Sequence, residues 1–211
     1  MKTRTSEALH ELKHHSPFTI LATIMAIILI SLLYFFKSSD FNSIMQTSFH
    51  IAHPLHLFVS AIASAAIFYK YKKSFFQAIL VGLLGAIVIG SISDVLFPYL
   101  IGIIFNMKLE FHLPIIENPL LILSVAIIGS ILGIKTKLTK VPHLLHVFLS
   151  VFASLLYLFA FNQTITPLTF ILSALIVFIA VIVPCCLSDI LFPFFFLGKK
   201  IIFYKLINME C

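Results

Sequence analysis

The stretch His53-Pro-Leu-His56-Leu-Phe-Val-Ser60-Ala-Ile-Ala63-Ser64 decides the fold, because the chain writes it a second time about ninety residues later. The second copy reads His143-Leu-Leu-His146-Val-Phe-Leu-Ser150-Val-Phe-Ala153-Ser154. After each copy an apolar run ends in a further shared phrase, Ser93-Asp94-Val-Leu-Phe97-Pro98 and Ser188-Asp189-Ile-Leu-Phe192-Pro193. Asp94 and Asp189 are the only charged residues inside those runs. One His-x-x-His could arise by chance, but the whole ordered set arising twice points to a duplicated unit that carries two histidines and an aspartate.

The surrounding composition places that unit in a membrane. The 211 residues are 61% hydrophobic and only 10% charged, with a mean hydropathy of +1.13. Soluble domains carry about a quarter charged residues. Several runs reach the roughly 20 apolar residues needed to cross a hydrocarbon core. The polar, basic first fifteen residues and the lack of a small-residue cleavage site do not read as a secretory signal. A formal charge of +6 could suggest nucleic acid, but the basic residues sit in short clusters beside apolar runs, as topogenic loops do. Cys185 and Cys186 are adjacent at the end of a run and Cys211 is the last residue, so no disulfide framework is expected.

The reading is an all-α integral membrane protein with six main spans. They run near Phe18–Phe36, Leu55–Phe68, Phe75–Ile92, Leu120–Ile134, Leu145–Phe161 and Leu168–Pro184. Apolar pieces Val95–Phe105 and Ile190–Leu197 follow the two Ser-Asp phrases. A helix from Phe75 to Phe105 would be about 46 Å long, more than the bilayer core. Pro98 and Pro193 each remove a helical hydrogen bond. The third and sixth segments are therefore expected to break near the Asp.

Lysine and arginine set the orientation. With both termini cytoplasmic, in the plasma (inner) membrane, twelve of the fourteen basic residues fall inside and only Lys37 and Lys108 fall outside. Three spans per copy invert the second copy relative to the first. His10, His15, Pro17 and Leu21 match His112, Glu117, Pro119 and Leu123 at constant spacing, which supports repeats over residues 10–106 and 112–204. The halves are then 1–106 and 107–211 of one membrane domain, an architecture common among secondary transporters.

Residues three apart on a helix share a face, so His53 with His56, and His143 with His146, can point at one ion. Imidazoles with a carboxylate suit Zn, Mn, Fe or Co. The spans above place His53, His56 and Asp94 together at one membrane face, and His143, His146 and Asp189 at the other. His15, His112 and Glu117 are additional candidates, the matched pair His15 and Glu117 because each precedes a helix-starting proline. Cys185 and Cys186 are secondary candidates, better read as small buried apolar residues. His10, His14 and His50 read as solvated loop histidines. The Ser60, Ala63, Ser64 and Ser150, Ala153, Ser154 stripes read as close-packing surfaces rather than an ion path.

The function that follows is a small transporter or channel for a divalent metal ion, with proton competition at the histidines coupling the two. The alternative is a membrane metal-dependent enzyme acting on a lipid or other membrane substrate. The expected partners are the bilayer and a metal ion or proton, a homo-oligomer is compatible with them, and nucleic acid is not. A structural polar lock between repeats, with Ser-Asp capping a half-helix, is the competing explanation of the same residues. No phosphate-binding glycine loop, Gly-x-Ser-x-Gly elbow or nucleic-acid motif is present.

Overall fold

The computed structural model describes residues 4–36, 39–137, 140–186 and 196, with side chains at 17, 19–36, 39–137, 145–181 and 196. Among them the regular structure is helical, with no strand and one isolated bridge between Leu109 and Asn162. Four helices are long and apolar enough to cross a membrane: Thr19–Phe36, Phe41–Tyr71, Phe75–Ile104 and Pro119–Thr136. Two shorter apolar helical stretches, Leu145–Ala160 and Pro167–Val181, accompany them.

Helix α1 (Arg4–Phe36) buries a narrow stripe and leaves most of its bulky residues outward. Ala22, Ala26 and Ile30 are buried at four-residue spacing, while Ile20, Leu21, Ile24, Met25, Ile28 and Leu29 are exposed. An apolar exterior of this size is unstable in water and natural against lipid. Helix α2 (Phe41–Tyr71) is the inner helix. Its most apolar window is 72% buried, against 28–33% for the other three, and His53, His56, Ser60 and Ser64 are buried within the helix bundle.

The start of α2 departs from expectation and changes the site. The apolar run begins at Leu55, but the helix begins fourteen residues earlier, with Asn42, Ser43, Gln46, Thr47 and His50 on its exterior. His50 is thus an exposed helical residue rather than a loop residue. His56 falls at the middle of the 31-residue helix and not near its end.

The next span is helical throughout Phe75–Ile104. It comprises α3 (Phe75–Leu84), π turns at Gly85–Ile89 and Ile92–Leu96, and α4 (Phe97–Ile104). The expected break is therefore a widening of the helix around Asp94, not a gap. The Phe97 N–H donates five residues back to Ile92 O. The next donor in that register would be Pro98, which has none. Ser93 O is satisfied instead from α7 (Lys140–Ala160), whose Ser154 hydroxyl is shared between Ser150 O at 2.7 Å and Ser93 O at 3.0 Å.

Helices α5 (Pro114–Glu117), α6 (Pro119–Thr136) and α8 (Pro167–Cys186) complete the described fold. Helix α2 lies between α6 and α7, and α1 packs on α7 and α8. Two α6 glycines make the first contact possible. A Cβ on Gly129 would lie 2.5 Å from Phe58 O, and one on Gly133 would lie 2.3 Å from Ile62 O. Small residues four apart let membrane helices touch through their backbones.

Candidate metal centre

Asp94 is wholly buried and its carboxylate accepts from four side chains. Its Oδ2 receives His53 Nδ1–H at 2.8 Å and His56 Nδ1–H at 2.6 Å. A carboxylate only accepts, so both rings carry their proton on Nδ1. Its Oδ1 lies 2.9 Å from Ser93 Oγ and receives the Ser150 hydroxyl at 3.0 Å. The π turn brings the Asp94 side chain to the histidine face of α2. On the same span Gly90 lets α2 approach, since a Cβ there would meet Leu57 Cδ2 at 2.2 Å.

His53, His56 and Asp94 offer ligand atoms within 4.8 Å of one another, all fully buried. That group could hold a metal ion. His53 Nε2 adds a specific sign of this chemistry: it is buried with no hydrogen-bond partner among the described residues. Leaving such an atom unpaired costs about 1–3 kcal/mol, which a bound ion would remove. A carboxylate gripping one ring nitrogen while the other faces a ligand is the usual support of a metal-binding imidazole.

The second half reaches this cluster directly. His56 Nε2 and His146 Nδ1 are 3.0 Å apart, with ring centroids at 4.5 Å. Helices α2 and α7 therefore meet histidine to histidine inside the bundle, and the expectation of two clusters on opposite faces does not hold for His146. The physical cause is the early start of α2, which carries His53 and His56 inward. With His56 Nδ1 protonated, a neutral His56 accepts from His146, and a cationic one donates to it.

His143, His15, Cys185 and Cys186 have side chains outside the described residues, and Asp189 lies wholly outside them. His112 and Glu117 pair with each other instead of joining the central group, His112 Nδ1 lying 2.6 Å from Glu117 Oε1. Burial pushes the His112 pKa below its usual value, against the opposing pull of Glu117. Ser150 was read from sequence as packing, yet it is a donor to Asp94. Its place three residues from Ala153 on the stripe gives no hint of that. The clue was its i+4 spacing from His146, which put both on one face of α7. Ser60 and Ser64 are buried without hydrogen-bond partners among the described residues. Comparison with protein-family models, curated proteins and solved structures finds no match, so the chemistry of this centre rests on its own atoms.

Proposed function

We propose that this protein is a small membrane carrier or channel for a divalent transition metal such as Zn, Mn, Fe or Co, with protons competing for the same ligands. The observation that carries this is the pair of imidazoles and one carboxylate buried at mid-span in an apolar bundle. Ionisable groups at that depth are costly and mark ion pathways. His53, His56 and Asp94 hold the ion from the first half. His146, with His143 and Asp189 of the same repeat, takes it from the second.

The six-span, inverted-repeat arrangement belongs to this proposal, with halves 1–106 and 107–211 and both termini cytoplasmic in the inner membrane. Partner exchange supports it: α1 packs on α7 and α8, as α6 packs on α2 and α3. A twofold axis relating the halves would exchange those contacts. Alternating exposure then consists of one half rocking on the other about the α2–α7 contact.

Metal binding requires neutral imidazoles, so protonation of His53 and His56 releases the ion. Asp94 holds each ring by Nδ1 and leaves His53 Nε2 as the free ligand atom, while His56 Nε2 meets His146 Nδ1. A second reading has its own observation. Asp94, His56 and His146 are joined by contacts of 2.6 and 3.0 Å, a relay that could pass protons without metal. An enzyme acting on lipid is disfavoured, because His53, His56 and Asp94 have no exposed surface to offer a substrate.

Reconstitution into liposomes tests the proposal. Metal influx reported by an internal chelating dye should require the protein and fall in His56→Ala and Asp94→Asn. Proton flux in metal-free liposomes, abolished by the same variants, would replace the carrier with the relay. Wild-type metal flux and binding in both variants would leave the cluster as a structural lock.

A further inference from the structure

A second group of ligand-type side chains lies away from the central cluster, at the end of the bundle that carries the N-terminus of α2 and the segment before α5. His112 is fixed there on three sides. Its Nδ1 is 2.6 Å from Glu117 Oε1. Its ring stacks on Phe161 at 4.3 Å and 18°. The edge of the Phe49 ring approaches it at 6.0 Å. Because Glu117 accepts from Nδ1–H, the lone pair of the neutral ring is on Nε2. That nitrogen is buried and has no hydrogen-bond partner among the described residues.

His50 supplies the neighbouring imidazole. Its ring lies 5.0 Å from that of His112 at a steep 77°, and its residue is exposed. It also sits three residues before His53 on α2, about 4.5 Å along the axis. Phe49 closes the space between the levels, stacked on His53 at 5.5 Å and 20°.

We infer that His50 and His112 form a second transition-metal site, with Glu117 positioning His112, one helical turn from the central cluster. The donor set is two imidazoles with open positions for water, which suits Zn2+ or Co2+. The site stands where His50 is exposed, with the Phe49 ring between it and His53, so transfer of an ion to His53 requires that ring to move. Glu117 acts through His112 and is a positioning residue. Binding at this site is independent of the carrier reading, and only the transfer to His53 rests on it.

The test is equilibrium dialysis of the purified full chain in detergent with Co2+, read together with the visible absorption of the bound ion. Wild-type protein should bind two ions. His50→Ala and His112→Gln should each lower this to one, leaving the absorption of the central ion in place. Glu117→Gln should weaken the same ion by about 10–100-fold. Asp94→Asn should remove the other ion and spare this one. Unchanged stoichiometry in both His50→Ala and His112→Gln overturns the inference, whatever Asp94→Asn does. Should Asp94→Asn keep both ions while His112→Gln loses one, the second site stands and the central reading fails.

Discussion

Replacing Asp94 by Asn separates what the carboxylate does for the fold from what it does for an ion. The amide has the same shape, and the observed contacts divide cleanly between its two ends. Its oxygen can keep the two hydroxyl contacts made by Oδ1, from Ser93 and Ser150. Its NH2 then faces His53 Nδ1 and His56 Nδ1, which must become acceptors. Both rings can do so by moving their proton to Nε2, and His56 Nε2–H then donates to His146 Nδ1. Every contact survives, but His53 Nε2, the nitrogen offered to an ion, is now protonated.

Magnitudes follow from that exchange. Two hydrogen bonds to a charged group, at about 1.5–3 kcal/mol each, become neutral ones at about 0.5–1.5 kcal/mol. Removing a charge from mid-membrane recovers about 2.5–3.5 kcal/mol, so the fold is expected to change little. Metal affinity is expected to fall by at least about 100-fold, or about 2.7 kcal/mol, because the charge and the correct tautomer are lost together. Asp94→Ala differs, leaving two ring N–H groups and two hydroxyls without their acceptor at about 1–3 kcal/mol each. Thermal unfolding in detergent beside a Co2+ titration reads both quantities. An Asp94→Asn protein that binds Co2+ like the wild type would refute the role given to the carboxylate. One that unfolds like Asp94→Ala would refute the tautomer argument.

Gly133→Ala should destabilise the bundle by about 1–3 kcal/mol, since its Cβ meets the Ile62 backbone at 2.3 Å and neither helix can yield by a side-chain rotation. An unchanged unfolding midpoint would mean that α6 can withdraw from α2 freely. Ser154→Ala should cost about 1 kcal/mol by stripping Ser93 O of its donor. Pro98→Ala, which restores a backbone N–H in the register that serves Ser93, should reduce that cost in the double variant. Additive effects in a double-mutant cycle would break the proposed link between them.

Much of this was legible in the sequence because the bilayer imposes length and apolarity on its spans, and because ionisable residues stand out against them. His53, His56 and Asp94 were picked out on those grounds, and they do converge. Depth was not legible. The first turns of α2 carry Asn42, Ser43, Gln46, Thr47 and His50, so a search for apolar runs starts the span at Leu55 and strands the histidines at its end. Helical continuity depends on backbone hydrogen bonding, which polar residues satisfy as well as apolar ones. The π turns were hidden for a related reason. Pro98 signals a lost bond, but whether the chain breaks or widens depends on who supplies the missing donor, and Ser154 is fifty-six residues away. The His56–His146 contact depended on both.

Whether the cluster is a lock or an ion site can be decided from the one atom that a lock would not leave bare. A polar lock stabilises only when its members are all satisfied. Here three of the four side chains around Asp94 could hold the carboxylate without His53, whose Nε2 has no partner among the described residues. Well-packed apolar groups often replace buried charged networks at no cost, or with a gain of 1–4 kcal/mol. His53→Phe is the case in point, because the new ring can stack on Phe49 as the imidazole does at 5.5 Å. If the histidine is there for an ion, the variant should be as stable as the wild type or more so, while central-site Co2+ affinity drops at least about tenfold. If it is there to lock α2 to Asp94, the unfolding midpoint should fall and Co2+ binding should not change. The two accounts predict different outcomes for both measurements.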